Sequence, residues 1–220
     1  MAYSLVVFDW DGTLMDSTHS IVAAIQNACR DLDLPVPTAS AASWVIGLSL
    51  ESALRRAVPE LTPALLPRFL ERYRIHYLLR DPELRLFDGA RELLTDLANQ
   101  NVRLAVATGK SRVGLDRVLA ATGLRHMFDA TRTADETFSK PHPEMLHQLM
   151  RELVAEPADM LMIGDTSHDL QMAVNAGVHG LGVSYGAHPI SDLEGCAPQA
   201  VVDSVAAMSA WLKPRVGAPA

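Results

Sequence analysis

Residues 4–17, SLVVFDWDGTLMDS, constrain this chain more than any other segment. They open with four apolar residues at 5–8, and an uninterrupted apolar run is typical of a strand buried on both faces of a parallel sheet. Asp9 and Asp11 follow directly, and side chains two positions apart in an extended segment point the same way. Gly12 then allows a sharp turn out of the strand. The segment therefore predicts a buried strand that delivers two carboxylates to one point.

Two carboxylates at the end of a hydrophobic strand are costly to bury unless something uses them. Hard divalent cations prefer oxygen ligands, and an ionised carboxylate is also able to attack phosphorus. For Asp9 and Asp11 alone, an acidic turn with no chemical role is the alternative interpretation. The rest of the chain decides between these interpretations.

The length of 220 residues allows one large domain or a core with an inserted lobe. The hydrophobic fraction of 49% supports a sizeable core. The net charge of −7 and the isoelectric point of about 5.6 argue against nucleic acid or an anionic membrane as the main partner. A small anionic substrate remains compatible, because local charge in a site can oppose the global sign.

Cysteine usage and the chain start favour a cytoplasmic protein. Cys29 and Cys196 do not make a disulfide framework, and the first residues do not resemble a signal peptide. No apolar run approaches the roughly 20 residues of a spanning helix. We expect a soluble cytoplasmic protein, either a monomer or a homodimer, with a loose tail at 214–220.

The segment 16–85 shows helical patterns and no strong strand. Asp16 or Ser17 can cap a first helix that runs to about Leu32, and a second helical region covers 44–58. A third helix begins after Thr62, although Pro67 moves its true start later. This segment is predicted to be an inserted all-helical cap domain.

From residue 86 onward, strands and helices alternate. Strands are predicted at 102–107, 127–130, 159–163, 180–184 and 201–202, and helices at 89–99, 111–122, from 140–143 through 153, at 170–175 and at 205–212. This alternation predicts an α/β fold with a doubly wound parallel, Rossmann-like sheet. The catalytic core is then 1–15 and 86–213, and the cap is 16–85.

Polar residues follow three of the predicted strands. In such sheets, ligands bind beyond the carboxyl ends of the strands, and Asp9, Thr108 and Asp165 each lie just past an apolar strand. Lys140 precedes a helix that can bring it to the same edge. We expect these four side chains to converge although they are far apart in the sequence.

Four motifs in this order resemble those of the haloacid dehalogenase superfamily: DWDGT at 9–13, Thr108 after a strand, Lys140 before Pro141, and GDTSHD at 164–169. A helical insertion directly after the first motif is similar to the type-1 cap of that family. The segments ATGKSR at 107–112 and KPHPEML at 140–146 look like the phosphoglycolate phosphatase-like branch. The presence of Asp11 distinguishes the chain from the dehalogenase branch, which lacks this second acid.

The resemblance implies a Mg²⁺-dependent phosphatase that acts on a small phosphomonoester. Asp9 would be the nucleophile that forms an aspartyl-phosphate, and Asp11 the general acid and base. Thr108, Gly109 and Lys140 would hold phosphate oxygens. The expected metal ligands are Asp9, Asp11 through its backbone carbonyl, Asp165 and Asp169.

The cap is expected to select the substrate by closing over the sheet edge. The residues expected to face the core are His19, Trp44, Gly47, Ser49, Arg55 and Arg56. Of these, Trp44, Gly47 and Arg55 are the expected substrate contacts. Arg55 or Arg56 could pair with a second anionic group such as a carboxylate, the alternative being an exposed basic turn on a helix.

Several residues are not expected to take part in chemistry. Trp10 is expected to pack away from the site, and His168 to lie at the surface. His142 and His147 are five positions apart and do not share a helix face, so we interpret them as exposed residues and not as a zinc pair. Gly109–Lys110–Ser111 lacks the glycine that a nucleotide P-loop requires five residues earlier.

Other functions remain open at this point. A phosphosugar mutase shares the paired acids, and a pyrophosphatase or nucleotidase could use the same core. A phosphate-sensing or phosphoacceptor module that keeps the fold without turnover is the non-enzymatic alternative.

Overall fold

A computed structural model describes residues 2–80 and 84–217. In chain order its strands and helices are β1 Leu5–Phe8, β2 Met15–Asp16, α1 Thr18–Asp31, α2 Ala39–Trp44, α3 Leu50–Ala57, α4 Leu66–Leu79, β3 Arg85–Leu86, α5 Ala90–Asn99, β4 Arg103–Thr108, α6 Arg112–Thr122, β5 Ala130–Thr133, α7 Glu144–Leu153, β6 Met160–Gly164, α8 Ser167–Ala176, β7 His179–Val183, α9 Ile190–Glu194, β8 Ala200–Val202 and α10 Val205–Leu212.

Six parallel strands form the central sheet in the order β5-β4-β1-β6-β7-β8. β1 lies inside the sheet, with Phe8 opposite Val106 of β4 and Ile163 of β6. Its side chains alternate between two apolar layers, so Val6 and Phe8 pack in one cluster while Leu5 and Val7 pack in another. Helices cover both faces, which confirms the predicted α/β fold with a doubly wound parallel sheet.

The helices α1 to α4 pack around an apolar cluster of their own, which includes Ile25, Leu54 and Phe69. β2 and β3 pair antiparallel at the two ends of this segment, with Met15 opposite Leu86. The chain thus leaves and re-enters the sheet region through one short ribbon. This separate cluster is consistent with the proposed cap at 16–85, although its treatment as a domain remains a prediction.

Within the predicted helical region at 44–58, only α3 at Leu50–Ala57 is a helix, because α2 ends at Trp44 and a turn at 45–49 separates the two. Gly47 has a φ of +92° in that turn, a conformation that L side chains rarely adopt. Further along, α4 begins at Leu66 and accommodates Pro67 in its first turn, where no intrahelical amide is needed. The predicted helix after Thr62 agrees with α4, but α2 and the break at Gly47 were not predicted.

The predicted strand at 127–130 is also displaced. Residues 125–127 form a 3₁₀ turn, and β5 extends over 130–133 beside β4. Phe128 is buried and contacts Trp10 edge-to-face, with 6.3 Å between the ring centroids. The edge strand β5 contains polar residues and therefore lacks the apolar pattern of a strand. The buried aromatic residue of the preceding loop instead made the segment 127–130 apolar enough to be predicted as one. The contact also places Trp10 in the core, as expected.

Part of the tail expected to be loose is paired. The amide of Tyr3 donates to the carbonyl of Arg215 at 2.7 Å, and the amide of Gly217 donates to the carbonyl of Tyr3 at 3.1 Å. Residues 215–217 therefore extend beside the start of the chain, while 218–220 lie outside the described residues. In the part of the chain that the structure describes, no helix has the length and apolarity needed to cross a membrane.

Candidate active site

The central strands bring the predicted residues to one edge of the sheet. Asp9 follows β1, Thr108 ends β4 and Asp165 follows β6, and β1 lies between the other two strands. The carboxyl ends of parallel strands meet at the same edge. All three side chains are buried there.

Three carboxylates face one another at this edge. Ligand oxygens of Asp9, Asp165 and Asp169 all lie within 4.8 Å of one another. Asp169 is held by the N-terminal capping box of α8, in which its Oδ2 accepts from the Thr166 amide at 3.1 Å and from the Thr166 hydroxyl at 2.6 Å. The acid early in α8 therefore points back to the sheet edge.

Asp165 is held by donors from two other segments. Its Oδ1 accepts from the hydroxyl of Thr13 at 2.8 Å, and its Oδ2 accepts from the amide of Ala187 at 2.7 Å. Thr13 belongs to the turn after Asp9, so the first motif also orients the acid of the fourth. These contacts fix the carboxylate before any ligand arrives.

Lys140 lies between two of the acids. Its Nζ is 2.8 Å from Asp9 Oδ1 and 2.6 Å from Asp169 Oδ1, and the side chain is buried. Burial alone would lower the pKa of Lys140, but the carboxylates of Asp169 and Asp9 raise it above its ordinary value. The lysine is therefore charged, as a ligand for phosphate oxygens must be.

The remaining charge of this cluster suits a divalent cation. Three carboxylates and one ammonium carry a net charge of −2. Burying this charge without a neutralising partner is unfavourable. Burial, against the opposing effect of Lys140, raises the pKa of Asp9 to about 7. Burial and the Asp9 carboxylate raise the pKa of Asp165 well above its ordinary value. Within the described residues, Asp9 Oδ2 has no hydrogen-bond partner. An oxygen-rich site of this charge fits Mg²⁺.

The carboxylate of Asp11 lies outside this cluster. Its Oδ2 is 2.9 Å from Lys110 Nζ, and its Oδ1 accepts from the hydroxyl of Ser17 at 2.6 Å. Lys110 also donates to the hydroxyl of Tyr77 in α4 at 3.0 Å. Burial alone would lower the pKa of Lys110, but Asp11 and Tyr77 raise it. The structure therefore separates the side chain of Asp11 from the cluster of Asp9, Asp165 and Asp169 and places it toward the cap.

Thr108 and Gly109 lie under the cap loop. The hydroxyl of Thr108 accepts from the Lys110 amide at 3.2 Å. A Cβ added to Gly109 would come within 2.4 Å of the carbonyl oxygen of Leu48 and 2.6 Å of that of Gly47. Only glycine fits here without a shift of the loop. Gly47 thus lies against the core at Gly109, while its role as a substrate contact of the cap stays a prediction.

Trp44 is the centre of a second cap contact. Its carbonyl oxygen accepts from His188 Nε2 at 2.8 Å and from His168 Nε2 at 3.0 Å. The Trp44 ring stacks on His188 with 5.5 Å between centroids and meets His168 edge-on at 4.6 Å. The prediction of a surface His168 is wrong, because the cap covers it and leaves it 7% exposed. Burial lowers its pKa to about 4.

The structure does not bring Arg55 or His19 to the site. Arg55 is exposed and binds Glu51 one helical turn away at 2.9 Å, and His19 is exposed on α1. Arg56 instead lies over the Trp44 ring, with its guanidinium carbon 3.9 Å from the centroid. Ser49 does face the core, since its amide donates to the hydroxyl of Ser139 at 2.8 Å. The expectation that Arg55 contacts substrate is therefore not supported by its position.

A cavity of about 900 Å³ opens between the cap and the sheet edge. Asp9, Asp11, Thr108 and Gly109 line its inner end, and cap side chains line most of the rest. Such a cavity can take a ligand whose reacting group lies at Asp9 and whose remainder lies against the cap.

The sequence did not indicate a contribution to the site for Thr13, Ser17, Lys110, Tyr77 or His188. Thr13 and Ser17 stand inside the segment that defined the first motif, so their hydroxyls could have been proposed as partners of the acids. Lys110 was noted only as part of a motif. Tyr77 and His188 carry no local signal, since their roles depend on how the cap packs on the core.

The chain was also compared with known proteins. The family model described as haloacid dehalogenase-like hydrolase matches residues 6–183. A "Probable phosphatase IndB" from Dickeya dadantii is 40% identical over 206 residues, which covers 91% of this chain and 89% of that protein. A "Phosphoglycolate phosphatase" from Pectobacterium atrosepticum is 32% identical over 207 residues, with coverages of 91% and 88%.

A solved structure agrees with the architecture. The crystal structure of a hydrolase from Pseudomonas syringae superposes with a TM-score of 0.87 at 25% identity, and covers 97% of this chain and 100% of that one. The family match includes the strands that carry Asp9, Thr108 and Asp165. The chain belongs to the haloacid dehalogenase-like hydrolase family.

Proposed function

We propose that this hydrolase is a Mg²⁺-dependent phosphatase that cleaves a small phosphomonoester through an aspartyl-phosphate. One observation carries the proposal. A carboxylate oxygen of Asp9 has no hydrogen-bond partner within the described residues, although it lies beside Lys140, Asp165 and Asp169 at the inner end of a cavity. A buried carboxylate oxygen without a hydrogen-bond partner is available as a nucleophile.

In the first step, the carboxylate of Asp9 attacks phosphorus and the bond to the leaving oxygen breaks. Lys140, the hydroxyl of Thr108 and the amide of Gly109 hold the phosphoryl oxygens and offset the charge that develops on them. Asp9, Asp165 and Asp169 would hold Mg²⁺, which supplies charge neutralisation at the transferred group when bound. The backbone carbonyl of Asp11 is proposed as a further ligand.

Asp11 transfers the protons in both steps. Its carboxyl group donates a proton to the leaving oxygen in the first step, and its carboxylate accepts one from water in the second. Water then attacks phosphorus, inorganic phosphate leaves and the Asp9 carboxylate is restored. The ion pair with Lys110 and the hydrogen bond from Ser17 hold Asp11 toward the cavity for both tasks.

The relatives named as phosphatases support this reaction class. Phosphoglycolate, the substrate in the name of one of them, is one candidate. The phosphosugar mutase, pyrophosphatase and nucleotidase alternatives use the same core residues and remain open. We propose a cytoplasmic protein with a phosphorylated metabolite as its partner.

The test is phosphate release from a panel of phosphomonoesters with Mg²⁺ and after chelation. Asp9→Asn keeps the shape of the side chain but removes the nucleophile, so we expect turnover to fall by at least about a thousandfold. Asp16→Asn is a matched control, because Asp16 is an exposed acid of β2. Undiminished turnover in Asp9→Asn would contradict the proposal.

The same assay separates the alternatives. Conversion of a hexose 1-phosphate to another hexose phosphate, with little free phosphate, would favour a mutase. Mg²⁺ binding without phosphate release from any substrate would favour a phosphate-sensing module.

A further inference from the structure

The cavity has two chemically different ends. Its inner end carries Asp9, Asp11 and Thr108, which suit a phosphoryl group and a leaving oxygen. Beyond them, apolar side chains of α1, the 45–50 loop and α4 line the walls: Ile21, Ile25, Ile46, Leu48, Leu50 and Leu70. A leaving group that extends from Asp11 would therefore lie mainly against hydrocarbon.

The volume exceeds what a two-carbon leaving group needs. Cavities of roughly 300–1,000 Å³ hold ligands of drug size, and this cavity of about 900 Å³ is near the upper limit. A phosphorylated two-carbon acid would leave much of the apolar wall in contact with water. An apolar leaving group with the size of a ring would displace that water and gain binding free energy.

One wall is aromatic. The rings of Tyr73 and Tyr77 stack with 5.9 Å between centroids and an interplanar angle of 15°. Both tyrosines line the cavity. The hydroxyl of Tyr77 already accepts from Lys110, which also pairs with Asp11. The wall thus offers ring surface to a ligand, while the Tyr77 hydroxyl is engaged near the reacting end.

The charges in the cavity do not single out an anionic leaving group. Neither Arg55 nor Arg56, the two residues suggested by the sequence for a carboxylate, lines the cavity. The charged residues farther from Asp9 carry both signs, with Arg74 and Arg117 on one side of the balance. Glu51 and Asp135 line the same part of the cavity, although Glu51 already pairs with Arg55. Charges of both signs therefore line this part of the cavity, and they do not form a purely cationic subsite for a second anion.

We infer that the substrate is a phosphomonoester of an alcohol with an apolar, ring-sized body, and that the cap wall at Leu48, Leu70 and Tyr73 selects it. This inference rests on the proposed phosphatase function and specifies its substrate class. It predicts discrimination by leaving-group size and apolarity, in favour of a ring over a two-carbon chain.

The first experiment measures binding without turnover. Benzylphosphonate and ethylphosphonate differ by a ring and cannot be hydrolysed as esters, and their affinities for the full chain with Mg²⁺ are measured by calorimetry. We expect benzylphosphonate to bind at least about tenfold more tightly, because the ring buries more apolar area. Equal or weaker binding of benzylphosphonate would overturn the inference.

Two cap variants test whether the cavity wall determines the preference for benzylphosphonate over ethylphosphonate. Leu48→Trp fills the cavity and Leu70→Ala removes part of its wall, so both should reduce the ratio of the two affinities by several fold. The ratio is taken on one preparation, so a fraction of unfolded protein does not change it. Leu79→Trp is the control, because Leu79 is 70% exposed on α4 and does not line the cavity. An unchanged ratio in both cavity variants would also overturn the inference.

Turnover distinguishes this inference from the proposed function. Benzyl phosphate and ethyl phosphate have alkyl leaving groups of similar acidity, so their kcat/KM values compare binding of the leaving group and not its reactivity. A higher value for benzyl phosphate supports both proposals. Tight benzylphosphonate binding without phosphate release from either ester would support the subsite and contradict the phosphatase.

Discussion

The imidazole of His188 donates from Nε2 to the carbonyl oxygen of Trp44 at 2.8 Å, and this bond joins the core to the cap. The amide of Ser167 donates to Nδ1 of the same ring at 3.1 Å, which fixes the proton on Nε2. Since Ser167 opens the helix that carries Asp169, the bond connects the cap to the segment that holds an acid proposed to bind Mg²⁺. Loss of this hydrogen bond should therefore have measurable effects on both the cap and the core.

His188→Phe keeps a ring against Trp44 but removes the bond to the Trp44 carbonyl and the contacts of Nδ1 with the Ser167 amide and hydroxyl. We expect the free energy of unfolding to fall by about 1–3 kcal/mol, because the Ser167 amide loses its partner and the Trp44 carbonyl keeps only His168. Amide hydrogen exchange should accelerate at 43–48. The matched control is His126→Phe on the exposed 3₁₀ turn. Unchanged exchange at 43–48 would show that His188 does not hold the cap.

The buried His168 should make stability depend on pH. Its pKa is about 4 in the folded protein and near its ordinary value of 6.5 in the unfolded chain. Between these values the unfolded chain binds more protons, so this residue's contribution to stability falls as pH decreases from about 6.5 to 4. The loss is at most about 3 kcal/mol. Urea unfolding of the wild type and of His168→Phe at pH 7 and 5 isolates this contribution.

The raised pKa of Asp9 has the opposite effect on the pH dependence of stability over the same pH range. Its folded form binds a proton below about pH 7 that the unfolded chain does not bind until lower pH, so acid stabilises this site. Because both proteins contain Asp9, its effect on the free energy of unfolding cancels to first order when His168→Phe is compared with the wild type. Equal pH dependence in the two proteins would contradict the assignment of the slope to His168.

Lys140→Met should destabilise the protein strongly without metal. The change leaves the buried carboxylates of Asp9 and Asp169 without their ammonium partner, and breaking a buried ion pair in this way costs about 3–5 kcal/mol. Mg²⁺ should recover part of this loss by neutralising the same acids. Urea unfolding with Mg²⁺ and with a chelator measures both effects. The exposed Lys213→Met is the control. Equal stability of Lys140→Met and wild type under chelation would contradict the charge balance inferred for the site.

The core site could be predicted from the sequence because each of its residues follows a recognisable strand or precedes a helix. Asp9, Thr108 and Asp165 stand where apolar runs end, and a parallel sheet places such positions together whatever the details of packing. Asp169 was predicted from the resemblance of GDTSHD at 164–169 to a family motif, and the capping box of α8 explains how its side chain reaches the sheet edge. Local pattern and fold geometry suffice for these positions.

The cap residues could not be predicted in the same way. Arg55 and Arg56 have the same local pattern, yet one pairs with Glu51 on the surface and the other covers Trp44. His168 was expected at the surface because no local pattern shows that Trp44 covers it. These outcomes depend on how two packed units meet, and hydrophobic periodicity within each unit carries no information on that contact.

Gly109→Ala should displace the cap loop from the core. The new methyl group would lie 2.4 Å from the carbonyl oxygen of Leu48, so the backbone at 47–48 or at 109 must shift. Because displacements of about 1 Å in a site can cost about a hundredfold in rate, we expect kcat/KM to fall by at least about tenfold. The free energy of unfolding should also fall, because the groups that must shift are backbone and not the end of a flexible side chain. Gly195→Ala is the control, since its methyl group would meet only ordinary contacts at 3.5 Å. Full activity in Gly109→Ala would mean that the cap loop does not need to lie against Gly109 during catalysis.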